Sequence, residues 1–449
     1  IQSWMISRSS GSSKDCPYLE PHLFHSLQAV AMNKNNNQPE LLAPAGDLER
    51  LTTALTYGAD AVYLSGPGLS LRAKSTNFSW SGLDHALALV QQHKAKAYYC
   101  VNALPQEQDL AVVKDTLARL HDLPKDLRPN ALIIADPGVL RLAARIAPDY
   151  PVHLSTQANT ANSESLAFWR DQGVTRVNLA RELNIKDIRS LAEAAHKAGG
   201  PELEVFVHGA ACMAVSGRCH LSTYLNQRSA NQGLCTHVCR FQYEVTGLAL
   251  TERTRPGQPV WELHEEDGYS ALLSANDICL LKYLAWFKNL GITSLKIEGR
   301  MRTAGWLAQV VDVYATALKD LGEKRFRWED YARELRNASL RSLDSAMFLP
   351  GSRRWSMAPL PEEEKRPVLA RVLEQIEPGK WRVAVKSRWE AGQDVEVMLP
   401  GLERVRLRAG EYSLEDEEGS TKEEVHSGVE ALLRPPVNIL APGFLVRAA

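Results

Sequence analysis

The sequence predicts an α/β chain: a (β/α)8 TIM-like barrel with a long cysteine-bearing insertion after strand 7, followed by a small C-terminal all-β domain. Three observations predict it. Eight short apolar runs recur between residues 41 and 298, most of them separated by amphipathic stretches of helical length. Continuous apolar strands alternating with helices mean parallel βα units, and eight units suit a closed ring. After residue 366 the pattern changes to polar–apolar alternation punctuated by glycine, which reads as antiparallel strands. An open doubly wound sheet is the alternative for the first part, but no GxGxxG follows a strand.

Residues 1–38, with Ser9, Ser10, Ser12 and Ser13 and later Asn35, Asn36 and Asn37, read as a disordered or artefactual extension. The barrel domain is placed at 39–357. Its strands are expected at 41–45, 61–65, 97–102, 131–136, 152–157, 176–180, 203–208 and 294–298, with helices at 48–57, 83–93, 110–120, 163–172 and 185–196. Gly58, Gly173 and Gly291 stand where helices end, which suits glycine's left-handed cap role. Asp60, Thr175 and Thr293 each follow by two residues, so one αβ turn recurs. The connection over about 209–293 is far longer than a barrel loop, and a loop of that length is usually functional. It leaves the C-terminal end of a strand, the face where barrel enzymes keep their chemistry. A helix is expected at 303–321, then a basic stretch from Lys324 to Arg354, a proline- and glutamate-rich linker at 359–367, and a β-barrel-like domain at 366–449.

The chain has 449 residues, 45% hydrophobic and 23% charged, with a net charge of -1. Those values describe a globular protein with no global attraction to nucleic acid or membrane, so an RNA surface must be a local patch. No apolar run approaches the roughly 20 residues of a membrane helix, and the N-terminus lacks a secretory pattern. The expectation is a cytoplasmic protein with no membrane partner; oligomeric state is left open.

Five of the seven cysteines lie between residues 212 and 279. An odd count in a large, non-secreted chain argues against a disulfide framework, and clustered thiols read first as metal ligands. Cys212, Cys219, Cys235 and Cys239 follow C-x6-C-x15-C-x3-C. Structural zinc prefers tight pairs, whereas an iron–sulfur cluster accepts thiolates from a wrapped loop, so a cluster is favoured and zinc is the alternative. Cys279 is a spare, expected on a helix as a core thiol and kept as the alternative fourth ligand. Cys100 reads as a packed strand residue.

The run EVFVHGAACMAVSGRCHLS at 204–222 closely resembles the signature of the collagenase-like peptidase U32 family. GLCTHVCRF at 233–241, SLKIEGRMR at 294–302, ELLAPAG at 40–46, ADAVY at 59–63 and HLSTQAN at 153–159 match further blocks. The resemblance runs from about residue 40 to the end. It implies an iron–sulfur protein of hydroxylation rather than a protease, with a 4Fe-4S cluster. The length, the cysteine block and the short β tail resemble the group that converts the wobble uridine of tRNA to 5-hydroxyuridine, with prephenate as hydroxyl donor. Relatives acting on ribosomal RNA or a ubiquinone precursor, a collagenase-like peptidase, and a non-catalytic cluster scaffold are the alternatives. Neither HExxH nor GxSxG occurs, so nothing supports a zinc or serine protease of those types. The segment 337–343, NASLRSL, departs from the family's turn after the basic helix.

Within this frame His208 and Glu298 are the candidate catalytic groups, each at a strand end. Arg72, Gln157, Arg181, Lys296 and Arg300 are the candidate substrate-binding groups, since planar guanidiniums suit a carboxylate donor. Lys296 and Glu298 share one face of their strand, and a lysine inside a barrel needs a partner, so Glu298 is expected to supply it. The basic stretch 324–354 offers charge for RNA phosphates, or a solvated helix face.

Overall fold

The computed structural model describes residues 38–67, 77–212, 214–219, 221–240, 264–266, 269–271, 276–349, 355–436 and 438–449. The expected N-terminal extension lies outside them except for its last residue, and so does Arg72.

Eight strands close a ring: β1 (Glu40–Pro44), β2 (Ala61–Leu64), β3 (Lys96–Val101), β4 (Ala131–Ile134), β5 (Val152–Leu154), β6 (Val174–Asn178), β7 (Glu202–Ala210) and β8 (Ser294–Glu298). They pair in parallel in chain order, and β8 pairs with both β1 and β7. Helices α1 (Leu48–Thr56), α2 (Trp80–Gln92), α3 (Leu110–Asp122), α4 (Pro137–Ile146), α5 (Ser163–Asp171), α6 (Ile185–Ala198) and α7 (Leu284–Leu290) alternate with the strands; α8 (Ala304–Gly322) and α9 (Trp328–Ala338) follow β8. The caps explain where many helices begin. The side chains of Asp47, Ser79, Asp136, Asn162, Asn184 and Thr303 each accept a backbone N–H of the first turn.

The recurrent αβ turn has a physical basis. Gly58, Gly173 and Gly291 all hold positive φ. Two residues later, Asp60 Oδ2 accepts from Leu41 N at 2.8 Å, while Thr175 Oγ1 and Thr293 Oγ1 donate to the carbonyls of Val152 and Leu203 at 3.0 Å. Each turn is thereby stitched to the start of a neighbouring strand.

The main core lies between the ring and its helices. Inside the ring the two halves differ. Leu42, Ala61, Tyr63, Tyr98, Cys100, Ala131 and Ile133 make an apolar cluster from β1 to β4. The other half is charged. Arg176 binds Glu40 and Glu202 at 2.7 Å, and Glu204 takes Lys296 at 3.0 Å and Asn178 and Ser294 at 2.9 Å.

β6 covers only the first part of β7, Glu202 to Glu204. The uncovered edge beyond it binds a short antiparallel strand, Asp277–Cys279, in the register Asp277 to Ala210 and Cys279 to His208. Helix was expected there. The open edge of β7 supplies the ladder that overrides it.

The C-terminal part is an antiparallel sheet of β9 (Val368–Glu377), β10 (Lys380–Val385), β11 (Val395–Leu399), β12 (Glu403–Leu407), β13 (Ser413–Glu415), β14 (Glu430–Arg434) and β15 (Leu445–Ala448). Its order is β12-β11-β15-β9-β10-β14-β13, so the ladder does not close on itself. Trp381, Trp389, Val397 and Leu433 fill its core. It docks on the outer helices. Tyr57 Oη donates to Met398 O at 2.8 Å and accepts from Leu445 N at 3.1 Å. Arg447, 2% exposed, binds Glu334 of α9 at 2.8 Å and Glu396 at 3.0 Å. No helix among the described residues is long and apolar enough to cross a membrane.

Candidate active site

A cavity of about 250 Å3 opens at the C-terminal ends of the strands and beneath the insertion. Strand ends supply Tyr63, Asn102, Gln157, Arg181, Phe206, Lys296, Glu298 and Arg300, and the insertion supplies Cys212, Cys219, Cys235, His237, Cys239 and Arg240. Leu104 N, beyond β3, donates to Asn231 O of the insertion at 3.1 Å. The Arg240 side chain donates to Ala211 O, just past β7, at 2.7 Å, and the Arg181 side chain to Ala210 O at the end of β7 at 3.3 Å. Ser216 Oγ adds bonds to Asn159 Oδ1 at 2.8 Å and Glu182 Oε2 at 2.9 Å.

The four spaced cysteines therefore line one cavity. Cys212 is exposed and the other three are half-buried. Burial, and the nearness of Cys212, Cys235 and Cys219, raise the Cys239 thiol above its ordinary pKa against the pull of Arg240. Among the described residues no three His, Cys, Asp or Glu side chains gather tightly enough to hold a metal ion. Four thiols on one cavity wall are a soft donor set of the kind that zinc and iron–sulfur clusters both take.

Cys279 is not brought to this group. It is fully buried, takes a hydrogen bond from Tyr314 Oη at 3.8 Å, and its pKa is pushed up to about 11 by burial. His208 is not brought there either. It is 1% exposed, lies against Trp306 and Tyr314, and burial followed by the Arg302 charge lowers its pKa to about 3. It is a neutral core imidazole, not a group facing the cavity. The cause is a bulge: Phe206 pairs with Lys296 but His208 with Ile297, which breaks the alternation between them.

Gln157, Arg181, Lys296, Glu298 and Arg300 do converge. Lys296 and Glu298 share the inner face as expected, but the partner of Lys296 is Glu204, one layer deeper. Tyr63 Oη instead meets Glu298 Oε2 at 3.3 Å. The Lys296 ammonium also stands 4.6 Å from the Tyr63 ring centre. Arg300 is held by Ser65 Oγ and Asn77 Oδ1, and Arg181 stacks 4.0 Å over Phe206. Gln157 Oε1 and Asn178 Oδ1 are buried in the lining, and neither has a hydrogen-bond partner among the described residues.

The Peptidase family U32 model matches residues 46–356. The chain belongs to peptidase family U32. The match begins just after β1, spans the other seven strands of the ring, the insertion and α9, and stops short of the C-terminal sheet. Among curated U32 relatives, tRNA hydroxylation protein P of Escherichia coli is 34% identical over 319 residues, covering 63% of this chain and 68% of that protein. Its namesake in Helicobacter pylori strain J99 is 38% identical over 306 residues, covering 67% and 69%. A collagenase of Porphyromonas gingivalis is 33% identical, covering 64% and 66%.

Several residues were not singled out from sequence: Asn178, Phe206, His237 and Arg240 in the cavity lining, and Glu204 in the layer beneath it. For three of them a signal existed. Glu204 and Phe206 alternate in step on β7, and Asn178 is two residues from Arg176 on β6, so polar side chains at inward parity marked a wet interior.

Proposed function

We propose that this U32 chain is a tRNA-modifying enzyme, an iron–sulfur protein that hydroxylates the wobble uridine to 5-hydroxyuridine without oxygen, using prephenate as hydroxyl donor. One observation carries the reading: four thiols of the insertion and the cations of the strand ends face a single cavity. Cys212, Cys219, Cys235 and Cys239 would hold the cluster. The cluster would supply a site for electron transfer or donor binding. Lys296, Arg300 and Arg181 offer positive charge to a dicarboxylate donor. The open acceptors of Gln157 and Asn178 suit an N–H or O–H of the ligand, because a buried acceptor left unmade costs about 1–3 kcal/mol. A uracil N3–H is such a donor. The relatives named tRNA hydroxylation protein P support the substrate class, and a cytoplasmic location follows from it.

The test is mass spectrometry of tRNA nucleosides from a strain lacking this gene, with and without the gene restored. Loss and return of 5-hydroxyuridine or its derivatives is expected, and unchanged levels would reject the reading. An anaerobic visible spectrum with iron and sulfide counts tests the cofactor separately. A colourless protein with one zinc would reject the cluster.

A further inference from the structure

We propose that Arg240, Arg302 and Arg341 form a phosphate site at the rim of the cavity that takes a backbone phosphodiester of the RNA. The proposal rests on the RNA reading above and adds the place where the polymer is gripped.

Arg240 begins the site on the cavity wall. Its Nη1 stands 3.9 Å from Asp277 Oδ1, and Arg302 Nη2 pairs with Asp277 Oδ2. Asp277 is 2% exposed on the strand that covers the free edge of β7. Arg341 is the third cation. Asp277 pairs with Leu343, and its N–H donates to Ser342 O at 3.0 Å, which brings the chain at Arg341 beside the same carboxylate. Burial, then Arg240, and also Arg302, press its pKa below the ordinary value, while Asp277 and Cys239 favour its charge. Three guanidiniums thus gather around one buried carboxylate, an excess of positive charge. The neighbouring Asp344 is engaged by Asn276 Nδ2 and Ala346 N.

Arg341 is also the uncommitted member of the basic stretch. Of its described arginines, Arg325 and Arg327 bind Asp320, Arg333 binds Asp330, and Arg336 donates to Ala358 O. No hydrogen bond or ion pair ties the Arg341 guanidinium among the described residues. Exposed apolar side chains flank the site: Met301 precedes Arg302 and is 53% exposed, and Leu340 precedes Arg341 and is 71% exposed. Arg302 and Arg341 lie outside the cavity lining, whereas Lys296 and Arg300 lie within it. A small carboxylate would be held inside. An anion gripped from the rim, against apolar side chains, suits a phosphodiester whose attached nucleotide enters the cavity, since phosphate contacts position and need only charge and reach.

The test measures binding of a labelled single-stranded, uridine-containing RNA oligonucleotide to the anaerobic holoprotein over a salt series. Arg341→Gln is compared with Arg406→Gln, an equal charge loss on the C-terminal sheet. Each phosphate contact on single-stranded RNA contributes about 0.7 to the slope of log K against log salt. Arg341→Gln should lower the slope by about that amount and weaken binding severalfold, with Arg406→Gln unchanged. Inorganic phosphate should compete better with wild type than with Arg341→Gln. The proposal is overturned if wild type binds RNA and Arg341→Gln binds it with the same slope. It is equally overturned if that variant alters only the cluster's spectrum or iron retention, which would assign the arginines to the thiolates. In both cases the tRNA reading stands. Wild type that binds no RNA, from a strain whose nucleosides are unchanged, removes both.

Discussion

Gly209 lies where β7 approaches β8 too closely for any Cβ, and Gly209→Ala should destabilise the barrel beyond the ordinary cost of alanine at a glycine site. Its φ is +107°, a region that L side chains rarely adopt. A Cβ there would lie 1.8 Å from Glu298 O and 2.8 Å from Glu298 C, both backbone atoms of β8. No rotamer can relieve that contact, so β7 and β8 must separate where the ring closes. The backbone conformation costs about 1–2 kcal/mol, and overpacking adds about 1–3 kcal/mol. Gly173→Ala isolates the first effect: its φ is +80°, and nothing lies within 4 Å of a Cβ. Urea unfolding followed by far-UV circular dichroism should place Gly209→Ala below Gly173→Ala by ~1–3 kcal/mol. With a slope of at least about 3 kcal/mol/M for a chain of this size, the midpoints differ by up to roughly 1 M. If Gly209→Ala loses no more than Gly173→Ala, the close approach is not what demands glycine there.

The cysteines separate in the same way: Cys212→Ser, Cys219→Ser, Cys235→Ser and Cys239→Ser should each lower iron content after anaerobic reconstitution, while Cys279→Ser should keep it in full. A Cys239→Ser protein with a complete cluster would remove that residue from the ligand set. His208 and His153 both have pKa values lowered from 6.5 to about 3, chiefly by burial and then by Arg302 and Arg176 respectively. The unfolded chain therefore binds their protons first. Their contribution to stability is complete above pH 6.5 and falls below it by about 1.4 kcal/mol per pH unit for each imidazole. His208→Gln should flatten that limb in a pH series of thermal melts, and an unchanged slope would contradict the neutral-core assignment. Arg447→Met leaves Glu334 and Glu396 half-served in the domain contact, an effect on the order of 3 kcal/mol. Faster proteolysis in the 359–367 linker should report it, and an unaltered digestion rate would mean that Arg447 does not hold the sheet in place.

Ring and insertion were legible because they rest on local signals. Apolar runs, capping side chains and glycines at fixed offsets recur along the chain, and each acts within a few residues of itself. The cavity was legible only where parity within a strand sufficed, as for Lys296 and Glu298. Three failures share a cause: the deciding contact is distant in sequence. Glu204 takes Lys296 across 92 residues. The bulge at Val207 turns His208 into the core, and a bulge depends on the partner strand. The free edge of β7 draws Asp277–Cys279 into a strand and carries Cys279 away from the other thiols. In the basic stretch the contact is local: Asp320 on α8, five and seven residues upstream, binds Arg325 and Arg327.

These distant contacts also explain why the site lies where it does. A ring filled by apolar side chains all round would leave no room for a polar ligand. Here Glu204, Asn178 and Lys296 keep one side of the interior wet, and the insertion departs from the end of β7, on that side. Lys296 is already committed to Glu204, so its charge is partly balanced before any ligand arrives. Arg181 donates to a neutral backbone oxygen, Ala210 O, and no ion pair ties it among the described residues. The positive charge it offers an incoming anion is therefore less compensated than that of Lys296. A carboxylate entering this cavity should accordingly depend more on Arg181 than on Lys296. Arg181→Gln should raise the half-saturating concentration of the donor more than Lys296→Gln does. The reverse order would make Glu204 a weaker partner than its 3.0 Å distance implies.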